Sequence, residues 1–284
     1  MPIKNIAVTG GSGKLGKQLI SELQRLGYEV VSLDTVRSDQ PGFHQIKVDL
    51  NDFGQVVGAL HGADAVIHLG AIPAPLGHPN ATIFANNTVS TYHILEAASI
   101  LGIEKVVLGS SESSYGFAWA PAPFAPDYVP VDEDHPQQPQ ECYGLSKIVN
   151  EQTAAMFARR SGSTSIVSLR YSMIVGVNEY KGLATSRPES YTRNLWSYID
   201  IRDAVSATIA ALETKALGAH CLNITADDTL SDWETTRLLT QFFPEAADRR
   251  AGLDGRQAVV SNERAKQLLG WTPVHTWTNQ HNNY

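Results

Sequence analysis

Cysteine is nearly absent from this 284-residue chain. Only Cys142 and Cys221 occur, without metal-type spacing, so no cysteine metal site or disulfide framework is expected. That scarcity points to a reduced, cytoplasmic protein. Positive charge is also short. Lys and Arg number 22 against 29 Asp and Glu, for a net charge of -7, which argues against a nucleic-acid-binding surface. No apolar run approaches the length of a membrane span, so no membrane partner is expected. The first residues, Met1-Pro2-Ile3-Lys4, lead directly into an apolar strand and lack the pattern of a signal peptide. There is no internal repeat and no low-complexity segment. What is present is 43% hydrophobic and 18% charged, the composition of a globular chain with one large or two small domains.

Glycine is placed where it does chemistry. Ile3 to Val8 reads as a strand, Thr9-Gly10-Gly11-Ser12-Gly13-Lys14-Leu15-Gly16 as a turn, and a helix runs to about Leu26. Gly11, Gly13 and Gly16 fit G-x-G-x-x-G, and Gly10, Gly13 and Gly16 fit the wider G-x-x-G-x-x-G. Either way, backbone N–H groups approach a pyrophosphate at a helix N-terminus. No Gly-Lys-Ser/Thr closes the stretch, which disfavours a Walker-type loop. A second strand, Glu29 to Leu33, ends at Asp34, where an acid bonds ribose hydroxyls and repels a 2′-phosphate. Arg37 is the competing feature, since it suits that phosphate.

Phe43 to Val48 predicts a strand leading to Asp49-Leu50, an edge for the adenine, and residues 52–60 a helix. Ala65 to Leu69 predicts a buried strand entering Gly70-Ala71, with His68 as a packed core histidine. A long helical pattern from about Thr82 to Leu101 carries Asn86-Asn87-Thr88. Glu104 to Leu108 predicts the next strand, ending in Gly109-Ser110-Ser111-Glu112-Ser113-Ser114-Tyr115-Gly116. Hydroxyls at the C-terminal end of a parallel strand face the ligand crevice.

Phe117 to Gln140 is a proline-rich connection whose aromatics, Phe117, Trp119, Phe124 and Tyr128, predict a lid or wall. Asp132-Glu133-Asp134 within it reads as a solvated turn, with no ligand spacing for a metal. Then comes Glu141-Cys142-Tyr143-Gly144-Leu145-Ser146-Lys147. Tyr143 and Lys147 are four apart, so they share a helix face. An ammonium one turn away favours the phenolate and is expected to lower the tyrosine pKa. Such a pair can take a proton from a hydroxyl.

Ser165 to Leu169 predicts a strand before Arg170-Tyr171-Ser172-Met173. An irregular segment from Gly176 to Leu195 follows, then a strand at Trp196 to Ile199 and a helix at Asp203 to Glu213. His220 to Ile224 predicts a strand, Ser231 caps a helix before Trp233, and a last helix, Ser261 to Leu269, stops at Gly270. The polar tail, Thr276 to Tyr284, is expected to fray. The alternation predicts an α/β protein with a doubly wound parallel sheet. Residues 1–170 would form a Rossmann-type domain, to which 197–224 return. Residues 171–196 and 225–284 would form a substrate-binding region.

The glycine turn, Asp34, Asp49-Leu50, Ser110-Ser111 and Tyr143-x-x-x-Lys147, in this order, resemble the extended short-chain dehydrogenase/reductase superfamily. More narrowly they resemble its NAD-dependent sugar epimerase/dehydratase group. The resemblance spans nearly the whole chain and implies NAD chemistry on a small carbohydrate. It implies that Ser111, Tyr143 and Lys147 are catalytic and that Lys147 also holds the nicotinamide ribose. It places Gly10, Gly13, Lys14, Leu15, Gly16, Asp34, Asp49, Leu50, Leu69, Gly70, Ala71, Asn87, Ser110 and Tyr171 along the cofactor, with Thr91 completing the motif of Asn87. Substrate contacts are expected from Ser111, Glu112, Ser113, Met173 and Lys181. Glu112-Ser113 and Cys142 depart from the residues usual in sugar-nucleotide epimerases.

A homodimer packed through the helices of Asn87–Leu101 and Tyr143–Arg160 is implied as well. The segment between Arg170-Tyr171 and Ser197-Tyr198-Ile199-Asp200 is too short for the usual nucleotide clamp. In that it resembles the uronate-dehydrogenase-like branch, where a basic residue binds a carboxylate; Lys181, Arg187 and Arg193 are the candidates. Three readings remain: a dehydrogenase of a free sugar or sugar acid, a sugar-nucleotide 4-epimerase or dehydratase, and a non-catalytic dinucleotide sensor.

Asp34 generates a direct prediction. Catalytic efficiency with NAD should exceed that with NADP, because a 2′-phosphate meets like-charge repulsion at the carboxylate. Equal or better efficiency with NADP would transfer control to Arg37.

Overall fold

Ala65-Val66-Ile67-His68 is apolar on both faces, and such a strand is stable only when both faces are covered. The computed structural model supplies that cover. It describes residues 3–281 apart from 41, 247, 251 and 252. The start at Met1-Pro2 and the tail residues 282–284 lie outside the described residues.

The strands of the main sheet are β1 (Asn5–Thr9), β2 (Glu29–Asp34), β3 (His44–Lys47), β4 (Ala65–His68), β5 (Lys105–Ser111), β6 (Ser165–Tyr171) and β9 (Gly218–Ile224). Between β6 and β9 in sequence lie β7 (Met173–Val175) and β8 (Tyr198–Asp200), which pair parallel outside that sheet. Among the described residues the main sheet has seven strands in the order β3-β2-β1-β4-β5-β6-β9, and every pairing is parallel. Helices α1 (Lys14–Arg25), α5 (Ile201–Glu213) and α7 (Glu263–Leu269) bring Leu19, Ile20, Leu23, Val205, Leu212 and Ala265 to one core. Helices α2 (Phe53–Leu60), α3 (Asn80–Leu101) and α4 (Cys142–Arg160) bring Val56, Leu60, Ile94, Leu95 and Phe157 to the other. The chain order reverses between β1 and β4, and ligands of such sheets bind at that switch point, outside the carboxyl ends of the strands.

Local physics moved several boundaries. Strand β5 continues to Ser111, because Gly109, Ser110 and Ser111 find ladder partners in Leu169, Arg170 and Tyr171. The strand expected from Trp196 begins at Tyr198, since Leu195 and Trp196 both hold φ 54 and break the extended path. The helix expected to start behind Ser231 begins at Thr235, as α6 (Thr235–Phe242). The Ser231 hydroxyl accepts instead from the Trp233 amide at 3.2 Å, a local turn.

The acidic turn is not fully solvated. Glu133 is buried and accepts from the Asn223 amide at 2.8 Å. The described part of the tail is ordered against the core. Helix α8 (Trp277–His281) seats the Trp277 ring beside Tyr180, Tyr198 and Leu230, with its Nε1 donating to the Thr229 carbonyl at 2.9 Å. The proline-rich connection also packs inward. Phe117, Val129 and Val131 join Leu238, Leu239 and Val259 in one cluster, so this loop is built with the C-terminal segments. No helix among the described residues is long and apolar enough to cross a membrane.

Candidate active site

A cleft of about 920 Å³ opens at the carboxyl ends of the strands. At its floor the backbone passes itself at close range. Gly10 has φ +67, and a Cβ there would lie 2.7 Å from the Gly70 amide nitrogen. Only glycine accepts both the left-handed conformation and that approach. Gly13 precedes α1, and no side chain caps the helix. Its first amides are therefore available to an anion, and the helix dipole favours one.

Asp34, at the end of β2, accepts from the Ser12 amide at 3.0 Å and the Val36 amide at 3.1 Å. Both bonds fix the carboxylate at the edge of the cleft. Leu15, Gly16, Asp49, Leu50, Leu69 and Ala71 line the same wall. Lys14 lines it too, and its Nζ reaches Glu179 at 2.5 Å and the Ile174 carbonyl at 2.8 Å. An uncapped helix end, an acid at the second strand and an apolar slot between them fit a dinucleotide. Arg37 is exposed and does not line the cleft.

The catalytic candidates meet where α4 touches the end of β5. Glu141 caps α4, its Oε1 accepting from the Gly144 amide at 2.6 Å and its Oε2 from the Tyr143 amide at 2.5 Å. A Cβ on Gly144 would stand 2.4 Å from the Ser113 carbonyl oxygen. A glycine there lets the first turn of α4 press onto the turn after β5, which brings Tyr143 to Ser111. Ser111 accepts from the Ser113 amide and donates to its hydroxyl, both at 3.1 Å. Lys147 is buried, its Nζ 2.7 Å from the Gly109 carbonyl and 5.4 Å from the centre of the Tyr143 ring.

The electrostatics correct one expectation. Burial pushes the Tyr143 phenol up to about 12; a bond from Ser111 opposes the rise, and the Glu141 and Glu112 charges add to it. Lys147 does not bring the phenol down, because its ammonium lies on Gly109 rather than at the phenol oxygen. Burial lowers Lys147 itself to about 8, with the Glu151 charge resisting. Glu112 is raised to about 7 by burial, against bonds from Ser197, Ser172 and the Met173 amide.

Ser110, Ser111, Glu112, Ser113, Tyr143, Lys147, Tyr171 and Met173 all line the cleft. Two expected contacts do not. Asn87 turns away and clamps the loop after β4, accepting from the Ile72 amide at 2.8 Å and donating to its carbonyl at 3.0 Å. Asn86 and Ser90, four apart on the adjacent face of α3, line the cleft instead, and helical periodicity was the signal for that pair. Lys181 is exposed on the 3-10 turn Val177–Gly182, outside the lining. The second 3-10 turn, Pro188–Asn194, supplies Ser190, Tyr191, Arg193 and Asn194 to the substrate end. Of the loop aromatics, only Trp119 reaches the cleft; Phe117, Phe124 and Tyr128 pack with His135 and one another.

A Rossmann sheet with a dinucleotide-type glycine turn and a buried Tyr-x-x-x-Lys beside a serine defines an enzyme of the extended short-chain dehydrogenase/reductase type. Residues 6–225 match the model of the NAD dependent epimerase/dehydratase family, and the chain belongs to that family. NAD is accordingly its cofactor. A UDP-glucose 4-epimerase from Corynebacterium glutamicum is 28% identical, over 95% of this chain and 91% of the relative. A uronate dehydrogenase from Pseudomonas putida is 29% identical, over 83% of this chain and 81% of the relative. The same fold occurs in a short-chain dehydrogenase/reductase superfamily protein from Agrobacterium tumefaciens, solved with bound NAD. Its TM-score is 0.76 at 24% identity, covering 98% of this chain and 95% of that one.

His68 sits behind the cleft as a core residue, Nδ1 2.7 Å from the Thr9 hydroxyl and Nε2 3.0 Å from that of Thr91. Burial, then the Lys147 charge, push its pKa down to about 3. An unfolded histidine, near 6.5, binds a proton that the folded one refuses. The contribution to stability is complete above about pH 6.5 and is lost as pH falls toward 3, at up to about 1.4 kcal/mol per pH unit. Denaturant unfolding across that window should give a shallower pH slope for His68→Gln than for wild type. Parallel slopes would assign the linkage elsewhere.

Proposed function

We propose that this chain oxidises a carbinol of a free sugar or sugar acid, with NAD as the acceptor. The observation that carries the reading is the short path from Tyr171 to Tyr198, spent on β7 and two 3-10 turns. That leaves no further helix or strand to clamp a nucleotide. The alignments agree. The match to the epimerase extends over 311 positions, more than the 284 residues of this chain, so the epimerase has stretches without a counterpart here. The match to the uronate dehydrogenase needs 241 positions for 83% of the 284 residues, so few residues of that relative lack a counterpart within the matched stretch.

Tyr143 takes the proton of the substrate hydroxyl, and Ser111 orients that oxygen. Lys147 holds the nicotinamide ribose. When bound, NAD supplies the hydride acceptor and a positively charged ring. With burial holding Tyr143 near 12, positive charge arriving with the bound cofactor would be what makes the phenol a base at neutral pH. Arg193 is the anchor for a substrate carboxylate. It alone of Lys181, Arg187 and Arg193 lines the cleft, and its Nη1 is steadied on the Ala120 carbonyl at 3.1 Å. A guanidinium suits a carboxylate by charge and by its paired donors.

The second reading is a UDP-sugar 4-epimerase. It is favoured by the coverage of the match to the Corynebacterium glutamicum enzyme, 95% of this chain and 91% of the relative. Steady-state assays with free sugars, sugar acids and UDP-sugars separate the two. Free NADH should accumulate with a sugar or sugar acid, and Tyr143→Phe should cut turnover by roughly 10²–10⁴-fold, as for loss of a general base. Tight UDP-sugar binding with competition by UDP alone would promote the epimerase. Near-wild-type turnover in Tyr143→Phe would remove the phenol from the mechanism.

The same reading includes a homodimer through α3 and α4. Val89, Tyr92 and Ile100 on α3 and Leu145 on α4 are large apolar side chains left exposed at 39%, 44%, 59% and 45%. Sedimentation should give twice the chain mass, and Tyr92→Glu should return a monomer. A wild-type monomer would refute the interface.

A further inference from the structure

Glu151 is a buried acid outside the three catalytic candidates, one helical turn past Lys147 on the same face of α4. Its partners come from four other segments, one of them the Cys221 thiol of β9. Arg170 of β6 donates from Nε at 2.9 Å and from Nη2 at 2.7 Å, a two-pronged pair with both side chains 4% exposed. The Ser110 hydroxyl of β5 donates to Oε1 at 2.6 Å, and Gln137 of the long loop donates to Oε2 at 3.2 Å. Ser110 sits between Gly109, whose carbonyl receives the Lys147 ammonium, and Ser111. One carboxylate thus ties the strand end that carries Gly109 and Ser111 to the helix that carries Tyr143 and Lys147.

We propose that Glu151 is a positioning residue of this site: it locks the end of β5, which carries Gly109 and Ser111, to the helix that carries Tyr143 and Lys147. The charged and titratable groups around Lys147 define the balance. Tyr143 and Glu151 face it from its own helix and His68 from β4, while Arg170 of β6 and the Cys221 thiol of β9 lie beyond, against Glu151. Burial works against the ammonium, and the Glu151 carboxylate works for it. A pair as enclosed as Arg170 and Glu151 is weak evidence for stability in itself, since desolvation offsets its attraction. Its placement next to Gly109–Ser111 is what gives it a role in the site.

The inference uses the proposed chemistry only for its kinetic readout, so a second readout needs no substrate. Trace acetic anhydride labelling of Lys147, followed by mass spectrometry across a pH series, reports when the amine loses its proton. In Glu151→Gln the labelling midpoint should move down by about one pH unit, and the alkaline limb of the kcat profile should move with it. KM for NAD should change little. An unmoved midpoint in a cooperatively folded Glu151→Gln would overturn the role of Glu151 at this site.

Ser110→Ala leaves the Arg170–Glu151 pair intact and tests the strand link even if Glu151→Gln fails to fold. Its kcat should fall about three- to tenfold with a wild-type Lys147 midpoint, and unchanged kcat would overturn the link. If wild type turns over no carbohydrate, the proposed function fails. The labelling arm then still decides the role of Glu151, and the protection of Lys147 by added NAD in Ser110→Ala decides the link: weaker protection than in wild type supports it, equal protection overturns it.

Discussion

Everything at the site depends on taking one phenol and one ammonium out of water together. Gly144 permits α4 to press on the turn after β5, and that contact encloses Tyr143 and Lys147. Desolvation then penalises the charged form of each, raising the phenol and lowering the ammonium. Free in water, the pair would be an ordinary tyrosine and lysine. Enclosed, both respond strongly to any charge placed nearby, which is the condition for a proton transfer that waits for its partner.

The same enclosure explains what was legible in the residues and what was not. The parallel sheet could be read because two-sided apolar strands alternate with amphipathic helices, and the glycine turn because Gly10 has no substitute at its φ and its contact with Gly70. Tyr143 and Lys147 were legible from their spacing. Their electrostatics were not, since helical spacing gives the shared face but not where the ammonium lands. Asn87 illustrates the limit: the resemblance sets it along the cofactor, while its side chain bonds the Ile72 backbone and Asn86 lines the cleft. Glu133 and Trp277 were misread as solvent-facing because their partners, Asn223 and Thr229, are distant in sequence.

The proposed substrate size rests on a different economy of chain. Between Tyr171 and Tyr198 the polypeptide makes only short turns, yet these deliver Arg193 and Asn194 to the mouth of the cleft. Residues of these 3-10 turns and of the Trp119 loop line this end of the cleft, and they are what support the proposal of a small polar ligand. The relatives of this chain include enzymes named for both substrate classes, so the family alone leaves the choice to the pocket.

The most direct measurement follows the hydrogen on the reacting carbon. Purified enzyme is given NAD and a free sugar acid labelled with deuterium at the oxidised carbon, and the label is traced by mass spectrometry. The account predicts deuterium in NADH released to solution, with a stoichiometric oxidised sugar. Deuterium retained in an inverted UDP-sugar, with no NADH released and no turnover of free sugars or sugar acids, would contradict it.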